Sequence, residues 1–436
     1  MISEVQQTEI GELPINWKVD RIDSAFEIQQ GKQVSKKNRE GGNQRPFLRT
    51  KNVFWNKLRL SELDQMNFSE TEEARLKLQQ NDLLVCEGGS IGRAALWNAE
   101  IDGCLYQNHL HRLRVKDGMV EPQFGIYWLW YAFDVAKIYY GRGNVTTIPN
   151  LSRSKLAELP MALPPLPEQK KITHVLSTVQ QAIEAQEQII QITTELKKAL
   201  MQILHTEGLR NEPRKQTEIG PIPESWEVVP LHETVEFIDY GVSQAIPKTS
   251  PADGMKIIST ADIDKQGNLL YRKVRRIKVS KTTATRLWLN DGDILFNWRN
   301  SPPLIGKTAI YHTQNENHIF ASFILRICTD EKRAHNYFLK HLMNHYREEG
   351  VFVKLARRAV NQANYNKNEI SALKIPRPSY GEQVEIANVI HGVEDKIQKH
   401  QEKRDILRNL FRALLIELMT AKTRVYSFDL KMEPAA

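Results

Sequence analysis

The chain contains a version of itself. Thr8-Glu9-Ile10-Gly11-Glu12-Leu13-Pro14-Ile15-Asn16-Trp17 returns as Thr217-Glu218-Ile219-Gly220-Pro221-Ile222-Pro223-Glu224-Ser225-Trp226. Pro164-Pro165-Leu166-Pro167-Glu168-Gln169-Lys170-Lys171-Ile172 returns as Pro378-Ser379-Tyr380-Gly381-Glu382-Gln383-Val384-Glu385-Ile386. Between these, Asp82-Leu83-Leu84 with Ile91-Gly92 echoes Asp293-Ile294-Leu295 with Ile305-Gly306. The offset is 209 residues at the first motif and 214 at the second, far longer than a solenoid unit of about 20–50 residues. Each repeat is therefore a domain plus an attached segment.

The attached segments are helical. Alternating steps of four and three through the first copy meet Ile172, Leu176, Val179, Ile183, Gln186, Ile190, Thr193, Lys197, Leu200 and Leu204. The same frame in the second copy meets Ile386, Ile390, Val393, Ile397, His400, Arg404, Leu407, Phe411, Leu414 and Leu418. An apolar period of 3.5 kept over about five heptads marks a coiled coil, placed over residues 168–206 and 382–421. Two chains meeting in parallel would give the same period, but two matched helices in one chain most simply pair with each other. Each is about 60 Å long at about 1.5 Å per residue. Prolines 160, 164, 165 and 167, and later 376 and 378, stop either helix from running back into the preceding domain. The expected division is a globular domain over 1–160, a helical spacer over 161–216, a second domain over 217–375, and a second spacer with a tail over 376–436.

The globular parts read as mixed strand and helix. Short apolar runs at 82–86 and 293–296, with 110–115 and 320–327, predict strands; 124–136 and 336–346 predict helices. The fold class is α+β with an internal twofold repeat. Three cysteines (Cys86, Cys104, Cys328) without a Cys-x-x-Cys spacing argue against a disulfide framework and for a reducing, cytoplasmic setting. The longest apolar run, Phe124 to Phe133, is about half a bilayer span, so no membrane partner is expected.

Charge separates the two parts. Lys and Arg number 60 against 52 Asp and Glu, a net +8. The helix at 168–206 is neutral and that at 382–421 carries −1, so the whole surplus lies outside the two helices. Lys32, Lys36, Lys37, Arg39, Arg45, Arg49 and Lys51 cluster in the first domain, with Glu40 as their only local acid. Arg272, Lys273, Arg275, Arg276, Lys278 and Lys281 cluster in the second with none. Lys and Arg contacts to phosphates supply most non-specific duplex affinity, and Arg, Asn and Gln read base edges. Loop residues suited to that reading are Gln44, Asn52, Asn108, Arg142 and Asn144, then Gln244, Lys248, Arg299, Asn300, Arg357, Arg358, Asn361 and Gln362. A solvated charged face is the plainer account of either cluster alone; one cluster per repeat beside neutral helices favours nucleic acid.

Catalytic motifs fail on inspection. Gly306-Lys307-Thr308 ends like a phosphate loop, but Ser301 stands where its first glycine belongs. His341 and His345 enclose Leu342 where a zinc protease needs Glu. His109 and His111 have no further ligand at metal-site spacing, and Glu195-Leu196-Lys197 lies in the coiled coil without a partner Asp. Trp17 and Trp226 are read as anchors of each domain to its core. No catalytic residue, metal ligand or cofactor site is assigned.

In order and spacing these elements resemble the specificity (S) subunit of type I restriction–modification systems: the Thr8–Trp17 and Thr217–Trp226 openings, the Asn150-Leu151-Ser152 and Asn364-Tyr365-Asn366 segments, and the proline runs leading through Glu168-Gln169 and Glu382-Gln383 into long helices. The second copy departs at Ser379-Tyr380-Gly381. The resemblance implies two target recognition domains, each reading half of a split, asymmetric sequence in double-stranded DNA. It implies two helical spacers paired antiparallel as a ruler between them; independently, two reading domains on one face of a duplex must sit about one helical turn, roughly 34–36 Å, apart, which the long helices are ample to hold. It implies two methyltransferase (M) subunits, restriction (R) subunits, and a prokaryotic cytoplasm. S-adenosylmethionine would belong to M, and ATP with Mg2+ to R; the complex would methylate adenine and cut DNA while this chain catalyses nothing. The competing account is a coiled-coil scaffold whose basic loops read no sequence.

Overall fold

The computed structural model describes residues 4–139, 150–355, 357–359 and 362–425, and for Lys273, Leu355, residues 357–359 and residues 362–363 the backbone alone. It divides into two units, Met1–Glu187 with Glu402–Ala436, and Gln188–Gln401. The division falls within both long helices, because each half-helix buries its apolar face against the domain beside it.

The two units repeat one topology. In the first, β1 (Phe26–Gln30), β2 (Leu83–Cys86), β3 (Ala94–Leu96) and β4 (Leu110–Val115) form an antiparallel sheet in the order β3-β2-β4-β1. In the second, β5 (Val235–Tyr240), β6 (Ile294–Asn297), β7 (Thr308–Ile310) and β8 (Ile324–Thr329) form the sheet β7-β6-β8-β5. Leu83, Val85 and Leu113 face the helix α1 (Pro122–Trp130) in one core; Ile294, Phe296 and Ile327 face α3 (Asn336–Glu348) in the other. A second, three-stranded sheet stands beside each. Gln44–Leu48 runs parallel to Leu105–Tyr106 and antiparallel to Asp64–Asn67; Met255–Ile258 runs parallel to His318–Phe320 and antiparallel to Arg275–Ile277. The run expected as one strand over 320–327 is two, because Ala321 bridges to Val242 and the chain turns at Ala321–Phe323 before β8.

The long helices are α2 (Leu166–Thr206) and α4 (Tyr380–Met419). In the first unit the N-terminal part of α2 packs with the C-terminal part of α4, where Arg408 Nη2 donates to Glu187 Oε1 at 2.6 Å. In the second the remaining halves pair, where Lys197 Nζ and Glu394 Oε1 are 2.6 Å apart. The pairing is therefore antiparallel. Ile172, Leu176, Leu204, Ile386, Ile390, Phe411 and Leu418 are buried; Val179, Ile183, Ile190, Leu200, Val393, Ile397, Leu407 and Leu414 are half-buried. Ile192, Leu196 and Ile203 on α2, with Ile406 and Leu410 on α4, fall outside that frame and are exposed.

What closes each unit is one hydrogen bond. Trp17 is buried and donates its indole N–H to Glu168 Oε2 at 2.9 Å; Trp226 does the same to Glu382 Oε2 at 3.1 Å. The opening tryptophan of each repeat is thus tied to the first turn of the long helix ending it. The neighbouring glutamine completes the tie: Gln169 donates to the carbonyls of Met119 and Pro164 and accepts from the Glu121 amide, and Gln383 does likewise with Arg333, Pro378 and His335. The other carboxylate oxygen is held from the C-terminal end of the opposite helix, by Arg424 for Glu168 and by the Leu209 amide for Glu382. Glycine matters at the hairpin before each tryptophan, where Gly11 and Gly220 turn at φ +117° and +105°, a conformation that L side chains rarely adopt.

Replacing Glu382 by Ala leaves the buried Trp226 N–H without an acceptor, which costs about 1–3 kcal/mol. Urea unfolding followed by tryptophan fluorescence should shift to lower denaturant by that amount, with Glu382→Gln, which keeps an acceptor, losing less; coincident curves for Glu382→Ala and wild type would contradict the assignment.

Candidate nucleic-acid interface

The basic clusters are less free than their local sequence suggests, because the fold supplies acids from elsewhere. Lys32 Nζ pairs with Glu72 at 2.6 Å and lies over the Phe68 ring; Arg45 pairs with Glu73 at 2.9 Å; Arg49 and Lys51 share Asp64 at 2.6 and 3.2 Å. The guanidinium of Arg49 holds the Asp64 carboxyl below its ordinary range, and that of Arg45 does the same for Glu73. In the second unit Arg276 pairs with Glu316 at 2.7 Å and Lys278 with Asp253 at 2.9 Å. What stays exposed without an acidic partner among the described residues of the clusters is Lys36, Lys37 and Arg39 on the short helix Lys36–Arg39, and Arg272, Arg275 and Lys281 in the second unit, where Lys248 is exposed as well. Gln244 is exposed too, and Gln44 donates to the carbonyls of Arg39 and Gly41, bracing the first group.

Asn52, expected at a base edge, is a correction. It is 2% exposed, accepts from the Arg49 amide, and donates to the carbonyls of Arg59 and Glu62. Its amide is consumed in folding its own loop, as Asp262 is at the matching place by accepting from Ser259. The Gly306-Lys307 fragment has the same kind of role: buried Lys307 donates to the carbonyls of Thr260 and Ile263. Arg93, after the matching Gly92, donates to Thr50 O at 2.9 Å. His341 is 1% exposed and burial keeps it well below its ordinary pKa, so it packs as a neutral ring.

Of the remaining candidates, one is described in the first unit and five share a sheet in the second. Asn108 sits in the turn into β4, its carbonyl accepting from Gln30 Nε2. Arg299 and Asn300 form a short strand that pairs with Gln362–Asn364, which pairs with Arg357–Ala359. Backbone register thus brings Arg299, Asn300, Arg357, Arg358 and Gln362 onto one three-stranded sheet. Arg299 stacks over Phe323 at 5.0 Å. Arg142, Asn144 and Asn361 lie outside the described residues. Among the described residues no group of three His, Cys, Asp or Glu is placed to hold a metal, and no helix is long and apolar enough to cross a membrane.

Comparison with known families decides the assignment. The model for the type I restriction modification DNA specificity domain matches residues 14–194 and again 223–408. The chain belongs to that family. A putative type I restriction enzyme MjaX specificity subunit of Methanocaldococcus jannaschii is 32% identical over 214 residues, 48% of this chain and 49% of that protein. The chain thus spans about half the length of that relative. The MjaVIII specificity subunit of the same organism is 24% identical over 372 residues, covering 83% and 84% of the two chains. The fold of the family is seen in the S subunit from M. genitalium, at TM-score 0.56 and 13% identity over 93% of this chain and 96% of that one. A second type I restriction–modification structure, described for complex assembly and conformational transition, aligns at TM-score 0.56 and 14% identity over 94% and 99%. Both share the fold of this chain.

Exposed and ion-paired cations differ in a measurable way. Replacing Lys36, Lys37 and Arg39 together by Ala should lower the slope of log affinity against log salt, for an arbitrary duplex, by about 2 to 3. An unchanged slope would remove this helix from the phosphate contacts.

Proposed function

We propose that this chain is the DNA-reading subunit of a type I restriction–modification complex. The observation that carries the proposal is the pair of matching frameworks with unlike exposed edges, within a chain whose family is that of the DNA specificity domain. Each globular domain reads one half of a bipartite double-stranded target, and the two halves are unrelated. The proposed reading domains span 1–160 and 217–375, joined through spacers 161–216 and 376–436. Two methyltransferase subunits and the restriction subunits complete the assembly in a prokaryotic cytoplasm. S-adenosylmethionine, ATP and Mg2+ belong to those partners, and this chain contributes no catalytic group to adenine methylation or cleavage.

Phosphate contacts come from Lys36, Lys37, Arg39, Lys248, Arg272 and Arg275, whose charge is not spent inside the fold. Base reading falls to the edges that hold Asn108 in one unit and Arg299, Asn300, Arg357, Arg358 and Gln362 in the other. A scaffold needs no such duplication of a folded framework with divergent edges.

Selection from a random duplex pool tests this, with the chain co-expressed with its methyltransferase subunit. The expected result is enrichment of a split motif with a fixed gap and unlike halves. Retention that is blind to sequence and fades as salt rises would leave only the backbone contribution and favour the scaffold.

A further inference from the structure

Equivalent hydrogen bonds inside each unit establish which position of one matches which position of the other. The Glu87 amide donates to the His109 carbonyl at 2.9 Å, and the Trp298 amide to the Phe323 carbonyl at 3.3 Å. The Leu151 amide donates to the Glu87 carbonyl and the Tyr365 amide to the Trp298 carbonyl, both at 3.0 Å. Gly31 and Gly241 occupy one close approach, where an added Cβ would lie 2.3 Å from the carbonyl oxygen of Tyr106 or of Phe320. By these bonds Gln30 corresponds to Tyr240, Glu87 to Trp298, and His109 to Phe323.

In each unit these three side chains meet, with opposite chemistry. Gln30 Nε2 donates to Glu87 Oε2 at 3.1 Å, and His109 Nδ1 lies 3.7 Å from the same oxygen; Glu87 is buried, and the His109 side chain is 57% exposed. In the second unit Tyr240 meets Trp298 edge-on at 5.4 Å, Trp298 meets Phe323 at 6.1 Å, and the Arg299 guanidinium covers Phe323. Tyr240 is 39% exposed and Phe323 43%. The loop that follows differs too, Gly88-Gly89-Ser90 against the six residues Arg299 to Leu304. The backbone is kept while the exposed group changes from hydrogen-bonding to aromatic and cationic. Exposed rings beside a guanidinium offer apolar contact and a hydrogen-bonding fork at one place, the pairing that base edges accept.

We infer that these two triads are the base-reading centres of the chain, an inference that rests on the DNA-reading function proposed above. In the first unit His109 faces the hydrogen-bonding edge of a base pair, positioned by Glu87, which Gln30 Nε2 holds in turn. In the second, Arg299 reads a guanine through O6 and N7, and Phe323 meets the methyl group of an adjacent thymine. These are the major-groove contacts that such side chains make. The backbone places the companion residues alongside: Leu151, pinned on Glu87, and the strands Arg357–Ala359 and Gln362–Asn364, paired to Arg299 and Asn300.

The test is duplex selection by the full chain with its methyltransferase subunit, comparing wild type with His109→Ala, Phe323→Ala and Arg299→Lys. The altered side chains are exposed or half-buried, and thermal melting of each variant should match wild type. His109→Ala should relax one half-site alone; Phe323→Ala and Arg299→Lys should relax the other alone, with discrimination at the affected base pair falling about 10- to 100-fold. Variants that keep both half-sites at wild-type stringency would overturn the inference. A uniform loss of affinity across sequences would equally overturn it, making Arg299 a phosphate contact. A wild-type chain that enriches no motif would instead overturn the proposed function, and this inference with it.

Discussion

Everything in each unit is arranged around a buried indole N–H and the carboxylate that accepts it. Trp17 and Glu168 are 151 residues apart in the chain, and Trp226 and Glu382 are 156. A buried donor left unmade is costly, so the bond fixes where the domain begins relative to where its helix begins. The strand after the tryptophan then pairs with the strand before the helix, Lys18–Arg21 with Pro160–Leu163 and Glu227–Pro230 with Lys374–Arg377. Between those closed ends the chain is free to vary. That accounts for repeats that match at their ends and diverge within.

The motifs that were legible in the sequence are the parts of this closure. Thr8–Trp17 and Glu168-Gln169 are recognisable because both sides of a hydrogen bond must persist in each copy. The long helices were legible from their period, since alternating steps of four and three follow directly from burying one face; the first ends at the expected Thr206, and the other three ends lie two residues from the expected ones. The prolines before each helix marked where it begins.

The candidate site was legible only in part. Counting charge along 31–51 found the cations but missed Asp64, Glu72 and Glu73, which reach them through a sheet and a helix folded back from later in the chain. Asn52 looked like a base reader because an amide in a basic loop has two uses, and only the fold shows which is taken. The Gln30–Glu87–His109 and Tyr240–Trp298–Phe323 groups left no mark at all. Their members are widely separated in sequence, and the two copies share no residue type, so a search for repetition passes over them. Only the backbone hydrogen bonds reveal that they occupy one place.

The central claim is that one framework carries two independent readers. Replacing residues 220–377 by residues 11–163 puts the first reader in both places while keeping Glu382 and the helices. Duplex selection with that chain should return a target made of two copies of a single half-site, separated by the original gap. A target that still has two unlike halves would contradict the account.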